Sequence, residues 1–163
     1  MNSWRWPTPR NGILPVVLVR LFNTVGPRQT GCYGMVLPRF IAAARQNAPL
    51  RVFGDGQQSR CFCYVLDTVE ALVRLQNNPA ARGQIFNIGS TEEVTILELA
   101  RCVIATVGAK SAIEFLPYDQ AYAPGFDDMR RRKPVVAKLE RVTGFRPETS
   151  LPEIIRRTVA SLK

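Results

Sequence analysis

Residues Val16 to Arg28 read VVLVRLFNTVGPR, an apolar run that stops in an amide, a hydroxyl, a Gly-Pro pair and an arginine. The continuous β-branched run Val16–Val19 predicts a parallel strand covered on both faces. Asn23, Thr24 and Gly26-Pro27 supply the polar turn beyond its carboxyl end. In open α/β sheets ligands sit at that end of the strands, so the stretch reads as a buried strand that runs into a binding site. The same residues also suit a core strand followed by an ordinary turn.

Working outward, the 163 residues suffice for one domain able to bury a core without staples, and 46% hydrophobic with 21% charged residues is a globular balance. No stretch approaches the roughly 20 apolar residues of a membrane helix. The opening MNSWRWPTPRNG has no apolar core followed by small residues, so it does not read as a secretory signal, and the cytoplasm is the expected compartment. Residues 1–14 read as an irregular arm and 15–163 as the folded part.

Cys32, Cys61, Cys63 and Cys102 show no C-x-x-C spacing, and there is no histidine, so the usual zinc sites lack half their ligands and free thiols are expected. The missing histidine also removes Ser-His-Asp and Cys-His chemistry. The net charge is +9, and only four of the 22 basic residues are lysines. That excess of guanidinium favours an anionic partner, because its paired donors match phosphate and carboxylate oxygens.

Val36, Phe40, Ile41 and Ala44 predict a helix over 35–47, which Pro49 ends. Leu50–Phe53 predicts a strand leading into the Gly54-Asp55-Gly56 turn, and Arg60–Val65 resumes an extended pattern. Asp67, with Glu70 three residues on, predicts the N-cap of a helix over Thr68–Gln76. Gln84–Ile88 reads as a buried strand, and Thr95 with Glu98 as the capping box of a helix over Ile96–Val107, closed by Gly108. Ala112–Leu116 is a final strand, followed by a long irregular loop, Pro117–Lys133, of the kind that more often works than idles. Pro134 opens a helix to Thr143, and Ser150 with Glu153 caps the last helix, Leu151–Leu162.

Three arginine positions lie beside turns: Arg28, Arg60 and the run Arg130-Arg131-Arg132-Lys133. Their placement points to one anion held from separate loops, with each charge-assisted contact contributing about 1.5–3 kcal/mol. The basic run also suits a solvated loop.

The segments RLFNTVGPR, PLRVFGDGQQSRCFCYVLD, FNIGSTEEVTILELA and RRRKP followed by KLERVTGFRP, in this order, resemble the C-terminal half of the extended short-chain dehydrogenase/reductases. These are the NAD-dependent nucleotide-sugar epimerases, dehydratases and decarboxylases; UDP-glucuronate decarboxylases and UDP-glucose 4-epimerases are the nearest in pattern. The resemblance implies an α/β fold: the remnant of a Rossmann-like doubly wound sheet joined to a small α/β substrate-binding subdomain. It implies that Asn23 binds the nucleotide-sugar phosphates and that Phe22 lies near the nicotinamide of NAD. It further implies that Val52 and Phe53 line the nucleobase pocket and that Arg60 and Arg132 hold the diphosphate. The implied reaction oxidises a UDP-sugar at C4 before epimerisation, dehydration or decarboxylation.

Two family features are missing from the sequence. No G-x-x-G-x-x-G occurs, and none of Tyr33, Tyr64, Tyr118 or Tyr122 has a lysine four residues later. NAD is therefore expected to belong to the parent enzyme and not to be held by this chain alone, which should be inactive without a cofactor-binding half. The expected partners are a UDP-sugar and either that missing half or a second copy, with no nucleic acid and no membrane. The competing readings are a basic module that binds nucleic acid and an inert fragment. The leading reading requires the guanidinium groups at positions 60 and 132 to meet.

Overall fold

The opening apolar run becomes a strand two residues later than its composition suggests. In the computed structural model, which describes residues 16–29, 35–117 and 129–162, strand β1 spans Leu18–Leu21 and pairs in parallel with β6, Ile85–Ile88. Among the described residues β6 is its one partner strand. Leu18 and Leu21 are 42% and 45% exposed, so the expected cover on both faces is not there. The reason is geometric: this strand is paired only with β6 and packed by the smaller apolar cluster, and no other described strand pairs with its second edge.

Four further short pieces follow that pattern of paired strands. β2 (Thr24–Val25) runs parallel to β5 (Cys63–Tyr64), and β3 (Leu50–Phe53) runs parallel to β8 (Ile113–Leu116). A three-stranded sheet has the order β7-β4-β9, built from Glu93–Thr95, Ser59–Cys61 and Arg131–Arg132. In it β4 pairs antiparallel with β7 and parallel with β9.

The helices fall close to their sequence signals. α1 is Val36–Arg45, α2 Val65–Gln76, α3 Ile96–Val107, α4 Ala137–Thr143 and α5 Leu151–Ala160. The capping box of α3 forms as expected: the Glu98 amide donates to Thr95 Oγ1 at 3.1 Å and the Thr95 amide to Glu98 Oε2 at 2.8 Å, with Gly108 closing the far end.

Two expected caps are corrected. α2 begins at Val65 behind Tyr64, so Asp67 lies inside its first turn; its carboxylate instead accepts from the Thr149 amide at 3.1 Å and the Thr149 hydroxyl at 2.9 Å. Extended backbone up to Tyr64 feeds directly into the helix, and the carboxylate is taken by a distant loop. Ser150 does sit at the N-cap of α5 but its side chain makes no capping bond, and Glu153 turns to Arg156 and Arg157. Pro134 lies before α4, not in its first turn. The expected arm at residues 1–14, the middle of the loop after Pro117, and Cys32, Tyr33, Tyr118 and Tyr122 lie outside the described residues.

Two apolar clusters organise the packing. The larger joins α1, α3 and α5 over β3, with Leu37, Ile41, Leu50, Val52, Leu99, Val103, Ile154 and Ile155 essentially inaccessible. The smaller joins Ala71 and Leu75 of α2, Phe86 and Ile88 of β6 and Leu139 of α4, with Val19 packed against it. In the Gly54-Asp55-Gly56 turn, Gly56 has φ 69° and a Cβ there would stand 2.9 Å from Val52 Cγ1, so the turn can lie on the larger cluster only with glycine. No helix among the described residues is long and apolar enough to cross a membrane.

Candidate functional site

The register of the β7-β4-β9 sheet makes Arg60 and Arg132 Cα partners on adjacent strands. Side chains alternate across a sheet, so directly paired residues share a face, and Arg60 and Arg132 stand together on one side. Two arginines on one face of a sheet bring together the donor chemistry that matches phosphate oxygens. The Arg60 guanidinium is itself tied to the main chain, Nη1 donating to the Ser59 carbonyl at 2.8 Å and the Met129 carbonyl at 2.7 Å.

Phe22 is brought to the same place from the end of β1. The Arg132 guanidinium lies 5.2 Å from the Phe22 ring centroid, within range of a cation–π contact. Gly89, just after β6, makes this approach possible, because a Cβ there would stand 2.8 Å from Phe22 Cβ and 3.0 Å from Pro134 Cγ. Phe22, Gly89, Arg132 and Pro134 thus form one wall from three segments that are distant in sequence.

Asn23 closes the seam between strand ends. Its backbone has φ 31°, a left-handed conformation that asparagine tolerates better than most residues. Its Nδ2 donates to the Cys61 carbonyl at 2.9 Å, and its own carbonyl accepts from the Cys63 amide at 3.1 Å. One amide N–H is therefore spent on β4, directly beside Arg60, and the second remains as chemistry to offer an anion.

Val52 and Phe53 differ from one another. Val52 is fully buried in the larger cluster, so only its backbone could meet a ligand. Phe53 is half-buried at the end of β3, with the Arg39 guanidinium 5.7 Å from its ring centroid. Its carbonyl accepts from Gln58 Nε2 at 3.1 Å, which ties this strand end to the segment leading into Arg60. Arg39, with Arg51, also lines a cleft of about 240 Å³. Arg28, the third arginine read as an anion ligand, is exposed in the turn after β2 with φ 65°.

The opposite face of the same sheet carries an arrangement that sequence reading missed. Glu93 of β7 accepts from Arg131 Nε at 2.7 Å and Nη2 at 2.9 Å, and from the Ser59 hydroxyl at 2.6 Å. Lys133 Nζ is 3.8 Å from its second oxygen. Hydrogen bonds from Arg131 and then Ser59 hold the Glu93 carboxyl down at about 2. The only local signal was an acidic residue after the Gly89-Ser90 turn, and that does not foretell a partner on a strand two residues long.

Cys61, Cys63 and Cys102 are free, and burial pushes all three thiols up, which disfavours the reactive thiolate. Among the described residues no cluster of His, Cys, Asp or Glu could hold a metal.

Residues 8–89 match the family model described as the NAD dependent epimerase/dehydratase family. The chain is 42% identical over 147 residues to a UDP-N-acetyl-alpha-D-glucosaminuronate decarboxylase of Bacillus cytotoxicus, covering 90% of this chain and 46% of that protein. It is 39% identical over 142 residues to UDP-glucuronic acid decarboxylase 2 of Arabidopsis thaliana, covering 87% of this chain and 30% of that one. The chain therefore spans less than half the length of these relatives. Among solved structures it superposes on a UDP-glucuronic acid 4-epimerase from Bacillus cereus, in complex with UDP-glucuronic acid and NAD, with a TM-score of 0.79 and 26% identity. That match covers 91% of this chain and 45% of the epimerase.

Proposed function

The chain belongs to the NAD-dependent epimerase/dehydratase family, and from that premise we propose that it is the UDP-sugar-binding part of an enzyme that oxidises the sugar at C4. The observation that carries this reading is the pairing of Arg60 with Arg132 on adjacent strands, above the ring of Phe22. In it the two guanidinium groups neutralise the diphosphate and fix its position, while the free N–H of Asn23 supplies a further donor to a phosphate oxygen. Phe53 and the backbone at Val52 bound the nucleobase end. Holding the diphosphate from two strands fixes where the sugar ring falls, and positioning of that kind is the main service a substrate domain gives to a reaction at a distant carbon. Similarity to UDP-glucuronic acid decarboxylases and to an epimerase seen with UDP-glucuronic acid supports a UDP-uronic acid as the substrate class.

NAD would supply the hydride acceptor. The residues described here offer it one aromatic wall, at Phe22, and no glycine-rich cradle for its phosphates, and the sequence lacks the Tyr-x-x-x-Lys pair. No proton or hydride step is therefore assigned to this chain, which works with a cofactor-binding half. An exposed apolar surface supports that pairing: Leu18 and Leu21 of β1, Ile85 of β6, and Leu66, Val69, Leu72 and Val73 of α2. Its occupant in this reading is a cofactor-binding half laid along the open edge of β1, and the first relative has the length for one, since this chain covers 46% of it.

The test is calorimetry. The full chain binds UDP, the corresponding uronic acid conjugate binds more tightly, and NAD binds only when the N-terminal half of a relative is co-expressed with it. Failure of UDP to bind either this chain or the reconstituted pair defeats the substrate reading. Steeply salt-dependent binding of any DNA would favour the basic-module reading instead.

A further inference from the structure

The run Arg130-Arg131-Arg132-Lys133 poses a problem of parity. Four consecutive cations pair with β4 through a strand only two residues long, and a slip of one residue would carry every side chain to the opposite face of the sheet. The sequence of the run cannot choose between registers, since each exchanges one cation for another.

We infer that Glu93 is the positioning residue that locks this register: by holding Arg131 on the far face of the sheet, with Lys133 beside it, it presents Arg132 next to Arg60. The inference rests on the reading of Arg60 and Arg132 as diphosphate ligands and adds to it the element that sets their geometry. Four observations converge on it. Glu93 pairs in register with Cys61, and Arg131 with Ser59, so Glu93, Ser59 and Arg131 share one face while Arg60 and Arg132 share the other. The carboxylate takes both Arg131 donors at 2.7 and 2.9 Å in the forked geometry that fixes an arginine most firmly. Ser59, midway across the sheet, holds Glu93 Oε1 at 2.6 Å and so aims the carboxylate over β4 towards β9. Lys133, two residues beyond Arg131 and on the same face, lies 3.8 Å from the other oxygen, so the carboxylate draws alternate members of the run away from the ligand side. Separately from Glu93, Arg60 holds the Met129 carbonyl, two residues before β9.

The lock is testable on the intact chain by UDP calorimetry and by amide hydrogen exchange, with Glu93→Arg, Glu93→Gln and the charge swap Glu93→Arg/Arg131→Glu. The single substitution to arginine weakens UDP binding by about tenfold or more, equivalent to about 1.4 kcal/mol. The swap, which rebuilds the pair with its charges reversed, restores affinity to within about threefold. A merely structural loss would not be repaired by adding a second charge change. Glu93→Gln keeps the Ser59 bond and serves if the arginine variant does not fold; it weakens binding in the same direction. Unchanged UDP affinity in both single variants, or no recovery in the swap, overturns the lock. If the unsubstituted chain binds no UDP, the ligand reading falls, and exchange alone decides the lock. Amides at 131–133 then lose protection in Glu93→Gln while those of α3 keep it, and unchanged protection at 131–133 overturns the lock.

Discussion

The two apolar clusters of this molecule are built from the same residue types and end very differently. Around α1, α3, α5 and β3 the large side chains are closed off, Leu99, Val103, Ile154 and Ile155 being wholly inaccessible. Around β1, β6, α2 and α4 a buried centre of Ala71, Leu75, Phe86 and Ile88 is flanked by apolar side chains left in solvent, Leu66 being 56% exposed. The first is a finished core. The second has its inner half assembled and an outer face left exposed. Between them stands the candidate site, with Phe22 and Asn23 from the open side and Arg60 and Arg132 from the sheet that adjoins the closed one.

The comparison breaks most directly on stability. Ile154→Ala removes a fully buried side chain from the closed cluster and is expected to cost about 2–5 kcal/mol in a urea titration. Leu72→Gln, on the outer face of α2, should change the stability of the isolated chain by no more than about 0.5 kcal/mol. It should nonetheless weaken association with a co-expressed cofactor half. Equal costs at the two positions would mean that the clusters are not different in kind.

Within the site, Arg132→Ala removes one charge-assisted contact and should lower UDP affinity by about 10- to 150-fold, about 1.5–3 kcal/mol, in calorimetry at fixed salt. Arg132→Lys should recover only part of it, because an ammonium cannot make the paired contact. Gly89→Ala tests the seam itself. The added methyl must displace Phe22 or Pro134, at a cost of about 1–3 kcal/mol in stability, with a parallel fall in UDP affinity as the Phe22 wall moves.

The smallest effect is expected from acid. Glu93 has its carboxyl lowered from 4.5 to about 2 in the folded chain, so its contribution is present above pH 4.5 and is lost as the pH falls towards 2. Glu98 and Glu153 are lowered too, by the Thr95 amide and by Arg157 respectively, and add loss of the same sign. Unfolding monitored from pH 5 to pH 2 should show stability falling, and Glu93→Gln should flatten part of that fall. A Glu93→Gln profile that overlays the unsubstituted one would remove the Arg131 contact from the account.

Local chemistry made most of the helices legible. The Thr95/Glu98 box, the 3.6-residue spacing in 36–45 and the Gly108 stop are interactions within one turn, and each appears where the sequence put it. The readings that failed depended on distant partners. Asp67 had the composition of a cap, but its carboxylate was claimed by Thr149. Val16–Val19 had the composition of a central strand, but β1 starts at Leu18 and lies open along one edge.

By itself, then, the order of residues determined the α/β class and most of the helices, because periodicity, capping and turn chemistry act over a few residues, and it marked Arg28, Arg60 and the run 130–133 as cations beside turns. Only the tertiary structure decided which cation of the basic run stands beside Arg60, that Phe22 lies beneath it, and which apolar faces stay open. Those outcomes turn on strand register and on contacts between segments far apart in the chain, and a one-residue shift invisible in composition reverses them.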